Sequence, residues 1–476
     1  MGEYETVIGL EVHVELATKS KIFCGCSTAF GGEPNTHVCP VCLGMPGALP
    51  VLNQKAVEYA VAVGLSAHCE ITRVSYFDRK NYFYPDNPQN YQISQLYYPI
   101  CRNGYLEIEG EDGTKKIGIH EIHLEEDAGK LIHEENGGGS RIDYNRSGVP
   151  LIEIVSEPDL ASAGEVIAYL EQLRVTIQYL GASDCKLQEG SMRADVNLSL
   201  RKAGEAGLGV RTEMKNLSSF RAIAQAIAHE AKRQEEILSG GGRVVQETRR
   251  WDENEGCSYS MRSKEDAKDY RYFPEPDLPP LVVSDEWMEE IRGRIPELRE
   301  EKKARYRIEY GLSEYDIGIL TESRQMAEFF EDTVSLCRRP KETANWLIGE
   351  AMRLRKESGG GNGYFSFSPK HLAGLIRMVE AGEVNRTTAK VVFEQIFRQD
   401  VDPEVYVKEH GLGMTGDAEE LREAVRQVLE QNPQPVADYK GGKEKAFGFL
   451  VGQSMKATKG KADPGKIREL LKDLLS

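Results

Sequence analysis

Alternation of apolar and polar side chains dominates the chain up to about residue 290. Period-two runs recur at TVIGLEVHVEL (6–16), KKIGIHEIHL (115–124), SMRADVNLSL (191–200) and GVRTEMKNL (209–217), separated by Gly-, Pro- and Asn-rich turns. Such runs place successive side chains on opposite faces and predict half-buried strands. Two helical stretches interrupt them, around Ala163 to Leu180 and around Ser219 to Leu238. The second is closed by Gly240-Gly241-Gly242, as a helix stop should be. From about Glu297 the strand signals vanish, and Glu, Lys, Arg, Leu and Ala recur with helical spacing. A Gly-rich loop at 357–363 lies within that region, and a second Gly-rich turn near 411–416 sets off a last helical portion. The expected class is α+β: a mixed-sheet cradle over 1–293, a helical domain over 294–408 and a small all-α tail over 409–476.

Four of the nine cysteines change this picture locally. Cys24-x-Cys26 is followed by Cys39-Pro-Val-Cys42. The second pair has the form of a zinc knuckle on a tight turn that Gly44 permits, and the first puts two thiols on one face of an extended segment. Four thiolates fill a tetrahedral shell, so the expected zinc holds structure and performs no chemistry. Cys69, Cys101, Cys185, Cys257 and Cys337 show no pairing pattern, which fits buried thiols in a reducing compartment. The opening residues run straight into a strand, with no apolar leader and no membrane-length stretch, so the cytoplasm is expected. A net charge of −16 speaks against indiscriminate nucleic-acid binding. The tail is nevertheless basic, with Lys440, Lys443, Lys445, Lys456, Lys459, Lys461 and Lys466 around the apolar FGFLVG.

The polar faces carry the candidate chemistry. Alternation puts Glu11, His13 and Glu15 on one side of the first run and Leu10, Val12 and Val14 on the other. It groups His123, Glu125 and Asp127 likewise, and Arg193, Asp195 and Asn197. Glu153 is flanked by apolar residues in LIEIV and needs a partner. Two readings stand: inward carboxylates that hold a divalent cation completed by nucleotide phosphates, or strand polars facing solvent. No Walker loop is present, because GKADPGKI at 460–467 has Pro464 in the cradle and Ile467 where a hydroxyl must sit. Cations interleave with aromatics at 76–86 and 269–274, a pattern suited either to phosphate and base contacts or to packed loops.

Several longer motifs occur together: GLEVHVEL (9–16), CPVCLGMPGALPVLN (39–53), RKNYFYPD (79–86), YQISQ (91–95) and HLEEDAGK (123–130). They continue with DYNRSGVPLIEIVSEPD (143–159), EGSMRADVN (189–197), MRSKE (261–265), DYRYFPEPDLPPL (269–281) and LVGQSMKATKGKADP (450–464). In this order, and over essentially the whole chain, they resemble the B-subunit family of the aspartyl/glutamyl-tRNA amidotransferases. The resemblance implies a ligase that repairs misacylated tRNA. ATP would phosphorylate the side-chain carboxylate of Glu or Asp on tRNA, and ammonia channelled from a glutaminase partner would then form the amide. It implies an amidase-type A subunit and a small C subunit as partners. It places Glu11, His13, Glu125 and Glu153 in a magnesium and ATP site, Asp195, Arg79 and Lys80 in contact with nucleotide or substrate, and zinc on Cys24, Cys26, Cys39 and Cys42. The lysine-rich tail would be a mobile tRNA-binding domain. The sequence departs from the family where Asn87-Pro88-Gln89-Asn90 replaces the usual Leu-Pro-Lys-Gly and where Ala194 replaces a common cysteine. The rival reading is a non-catalytic, zinc-stabilised tRNA-binding adaptor.

Overall fold

The computed structural model describes residues 3–110, 113–133, 139–263, 269–359, 365–414, 418–458, 462 and 464–475. Lys459 and Lys461 of the tail, residues 264–265 of the MRSKE motif and most of the 357–363 loop lie outside the described residues. The chain divides into two compact units, Met1–Leu298 and Arg299–Ser476.

A nine-stranded sheet organises the first unit. Across the sheet the strands run Cys257–Ser263, Glu247–Asp252, Thr212–Lys215, Met192–Lys202, Tyr4–Glu15, Pro150–Ser156, Gly113–Glu126, Cys101–Gly110 and Glu70–Ile71. The first strand of the chain therefore lies in the middle. All neighbours are antiparallel except Thr212–Lys215 and Glu247–Asp252, a parallel pair whose crossover is the helix Phe220–Ser239. The alternation read from the sequence decides the layering. Leu10, Val12 and Val14 are buried on one face, where they share a core with Val61 of helix Gln54–Ser66, Leu170 of helix Ala163–Tyr179 and Ile223 of helix Phe220–Ser239. Helix Gln54–Ser66 is additional to the two expected, and its KAVEYAVAVGL run is too uniformly apolar to show a helical stripe. Ser162 and Ser219 cap the two expected helices by accepting the amides of Glu165 and Ala222. Gly240 ends the second of them, as anticipated.

A small sheet of Asp78–Asn81, Tyr91–Ser94 and Phe273–Pro274 lies beside the polar face of the large one. Ser94 Oγ approaches Glu125 Oε2 at 3.4 Å across that junction.

The second unit is helical. Helices from Arg299–Arg305 to Pro403–Glu409 enclose a core that includes Tyr306, Phe330, Leu347 and Phe393. The helices Ala418–Gln431, Pro433–Lys440, Glu444–Ala457 and Pro464–Leu475 have their own smaller core around Val425, Leu450, Ile467 and Leu471. Among the described residues no helix is long and apolar enough to cross a membrane. The class is α+β, as expected.

Candidate functional site

Residues directly opposite on antiparallel strands share a face, so the register assembles the site. Arg193, His13, Glu153 and His123 stand in one row across four adjacent strands. Glu125 lies one row away, opposite Leu151, and Glu11 lies on the other side, opposite Asp195. Glu153 finds the partners its apolar setting requires: its Oε2 is 3.0 Å from His123 Nε2 and 3.5 Å from His13 Nε2. Glu125, nearly buried, is 3.7 Å from His13 Nε2 and 3.8 Å from His123 Nε2. Burial alone would depress both imidazoles, but Glu153 and Glu125 outweigh it and raise His13 and, further, His123. Burial likewise works against an ionised Glu153, yet the two imidazoles hold it well below the usual carboxylate range.

The anticipated four-residue set divides into two. His13, Glu125 and Glu153 bring ligand atoms within 4.8 Å of one another, whereas Glu11 groups in the same way with Asp195 and Glu213. Glu11 accepts a hydrogen bond from Asn197 Nδ2 at 3.0 Å, and burial together with Glu153 raises its carboxyl. Lys215 bridges the rest of the second group, bonded to Asp195 and 2.7 Å from Glu213 Oε1. Thr248 Oγ1 donates to Glu213 Oε2 at 2.7 Å. Glu213 is not among the candidates read from the sequence. Its signal was the alternation of TEMK, in which Thr212 and Met214 are fully buried and Glu213 and Lys215 face the other way. Both groups suit a hard cation, the second through oxygen alone and the first with imidazole added.

The two basic candidates part company. Arg79 is committed elsewhere: its Nε and Nη2 contact Glu275 at 2.6 and 2.9 Å, Nη2 meets Asp277 at 3.1 Å, and the guanidinium lies over the Tyr91 ring. This bidentate ion pair ties strand Asp78–Asn81 to the segment after Phe273–Pro274. Lys80, on the next residue and so the other face, sits with Nζ 5.0 Å from the Tyr270 ring centroid. Among the described residues it forms no ion pair. Burial opposes its charge, but Glu125, Tyr272 and Glu153 more than compensate and raise it. Asp127, expected beside Glu125, lies past the strand end in contacts with Arg193 at 3.2 Å and Arg146 at 3.4 Å.

The four clustered cysteines converge as expected, with sulfur atoms within 4.8 Å of one another. The Cys39 amide donates to Cys42 Sγ at 3.2 Å, and Gly44 turns the chain at φ +62°. Hydrogen bonding from Cys24, helped by the Cys39 amide and Lys21, favours the thiolate of Cys42 against its burial and lowers its pKa. Four converging sulfurs are the donor set of a closed zinc site.

Residues 6–289 match the family model of the GatB/GatE catalytic domain, and residues 328–475 match that of the GatB domain. The chain belongs to the GatB/GatE family. Relatives named as B subunits of aspartyl/glutamyl-tRNA(Asn/Gln) amidotransferase are similar over the full length of both chains. They include those of Agathobacter rectalis (64% identical), Lachnoclostridium phytofermentans (62%) and a Thermoanaerobacter species (55%). Both carboxylate groups and the cysteine cluster fall inside the GatB/GatE catalytic-domain match, and the basic tail falls inside the GatB-domain match.

The tetrapeptide Asn87-Pro88-Gln89-Asn90 of this GatB/GatE chain has visible consequences. Asn90 takes φ +63°, a backbone region that asparagine tolerates. Gln89 donates to Glu126 Oε1 at 2.6 Å, and the Ile93 amide donates to the same oxygen at 3.0 Å. Both partners are neutral, so burial dominates and pushes the Glu126 carboxyl up to about 8 from 4.5. A folded value above the unfolded one means that this group's stabilisation is complete below about pH 4.5 and is lost as pH rises through about 8. Glu126→Gln keeps the accepting oxygen and cannot ionise. It is therefore expected to match wild type in urea midpoint at pH 4.5 and to exceed it at pH 8.5, by a few kcal/mol. An equal difference at both values would mean that Glu126 already has a cationic partner.

Proposed function

We propose that this chain is the B subunit of a cytoplasmic tRNA-dependent amidotransferase, and that it catalyses ATP-dependent activation of the side-chain carboxylate of Glu-tRNA(Gln) or Asp-tRNA(Asn), followed by amide formation. One observation carries the reading: carboxylates from five strands meet on one sheet face beside the half-buried ammonium of Lys80, which has no ion pair among the described residues. A solvated strand face would not gather two three-ligand groups or leave a lysine without a partner. The family membership supports the same reading, as do the names of the relatives.

The chemistry demands this kind of face. A carboxylate has no usable leaving group until phosphoryl transfer makes it an acyl phosphate. Magnesium held by His13, Glu125 and Glu153, with Glu11, Asp195 and Glu213 alongside, would neutralise nucleotide phosphates during that transfer. Lys80 is placed to receive an anionic oxygen of the nucleotide or of the aminoacyl group. His13 and His123 pair with Glu153 and orient its carboxylate. The Cys24, Cys26, Cys39 and Cys42 set would hold a structural zinc. Ammonia would come from an amidase-type A subunit, with a small C subunit completing the complex, and the basic tail would contact tRNA by shape and backbone.

Oxygen tracing tests the proposal. Misacylated tRNA carrying 18O in the side-chain carboxylate is incubated with the complete complex, ATP and glutamine. One labelled oxygen is expected in the released inorganic phosphate, read by mass spectrometry. Unlabelled phosphate accompanying amide formation would exclude an acyl phosphate and with it this reading.

A further inference from the structure

The two aromatic and cationic stretches singled out in the sequence, 76–86 and 269–274, meet in space beside the carboxylates. The Asn81 amide donates to the Tyr270 carbonyl at 2.9 Å, and Asn81 Nδ2 donates to that of Arg271 at 2.8 Å. Arg271 adopts φ +44°, strained for a residue with a side chain, and is held there by Asp269 Oδ1, which accepts its amide at 2.9 Å. The rings of Tyr270 and Tyr272 are in edge contact at 6.1 Å, and Lys80 Nζ rests over Tyr270. Tyr272 lies in the field of Lys80 and His123, and it shares Glu125 and Tyr270 with Lys80 as electrostatic neighbours. Among the described residues neither the Tyr272 hydroxyl nor the Lys80 ammonium has a hydrogen-bond or ion-pair partner. Two donors are thus half-buried without acceptors next to a face otherwise rich in carboxylates.

We propose that the Tyr272 hydroxyl and the Lys80 ammonium form the oxyanion-stabilising pair of the amide-forming step, Tyr272 being a catalytic residue that donates to the reacting carbonyl oxygen. This rests on the function proposed above. In that step the ammonia nitrogen attacks the acyl-phosphate carbon, a C–N bond forms, and the carbonyl electron pair moves onto oxygen. Collapse restores the carbonyl and breaks the C–O bond to phosphate. The phosphate leaves with the electron pair of that bond and takes the proton that nitrogen loses, so amide and the hydrogen phosphate dianion are the products. Charge that builds on oxygen so close to Glu125 and Glu153 is repelled unless donors are already in place. A hydroxyl and an ammonium fixed before the reaction meet that need at no cost in reorganisation.

Tyr272→Phe tests this, because it removes the hydroxyl and keeps the ring that packs on Tyr270. The intact complex is given misacylated tRNA, ATP and ammonium chloride, so the glutaminase step drops out. Rapid quench measures the first-turnover burst of ADP, quenching into hydroxylamine measures accumulated acyl phosphate as hydroxamate, and amide is measured on the tRNA. The expected result is a burst of wild-type rate, amide formation about 10²-fold slower, and more hydroxamate. Amide formation at the wild-type rate would overturn the proposal. So would a burst slowed as much as the amide step, since that places Tyr272 in phosphoryl transfer or packing. Absence of burst and hydroxamate in the wild-type complex is a separate result, and it overturns the acyl-phosphate reading itself.

Discussion

Glu125→Gln is expected to reduce tRNA-dependent phosphate release by the complex at least 10²- to 10³-fold while tRNA binding is retained. The substitution preserves size and shape at a nearly buried position on the strand Gly113–Glu126, where Ser94 Oγ and both imidazoles already surround the carboxylate. What it removes is charge. A hard cation prefers carboxylate oxygen, and the field that favours phosphoryl transfer depends on that charge being fixed in advance. His13 and His123 remain paired with Glu153, so the sheet has no cause to unfold. Lys440, Lys445, Lys456 and Lys466 of the tail stand on helices with a separate core, so the substitution is expected to leave tRNA affinity unchanged. Single-turnover ATP cleavage and filter binding of tRNA, measured on one preparation, separate the two quantities. Undiminished ATP cleavage would reduce the chain to a zinc-stabilised tRNA-binding adaptor and move the chemistry to a partner.

Removal of zinc is expected to act on structure. Purified protein should contain about one zinc per chain, and a competing chelator should make the segment between Cys24 and Leu49 the preferred site of proteolytic cleavage. Between strand Tyr4–Glu15 and helix Gln54–Ser66 there is no regular element, so the backbone there leans on turns and on the cysteine cluster. Structural zinc sites of this kind contribute on the order of 10 kcal/mol of binding free energy, which loose turns cannot replace. A cavity of about 330 Å³ lies against the cluster, with Cys42, Tyr91 and Glu126 among its walls. Loosening the knuckle should therefore reach the neighbourhood of Glu126 while leaving the strand content seen by circular dichroism unchanged. Metal-free protein with four reactive thiols and an unaltered cleavage pattern would show that the cluster needs no ion.

Side-chain periodicity made part of this legible. Alternation around Glu11 and His13 told which face each residue takes, because a strand's period of two admits no other arrangement. It could not tell which strands are neighbours, since pairing partners lie far apart in the chain. For that reason Glu11 was placed with Glu125 in advance, although the register seats it beside Asp195 and Glu213. Arg79 and Lys80 were indistinguishable as adjacent cations. Opposite faces of one strand send the first to Glu275 and the second towards the carboxylates. Tyr272 was visible only as an aromatic near a cation, because the charges that surround it, those of Lys80, His123 and Glu125, lie far away in the sequence. The cysteine cluster was the exception, its spacing being local enough to fix the geometry.

The strand that bears Glu11 and His13 precedes both of its sheet neighbours in the chain. One flank waits for Pro150–Ser156 and the other for Met192–Lys202, and Glu213 arrives later still. An unfinished or truncated chain thus lacks the assembled carboxylate groups. Until synthesis passes Ser239, Leu10, Val12 and Val14 remain an incompletely covered apolar ribbon that the cell must shield, so expression of intact protein should depend on chaperone supply more than its final stability would suggest.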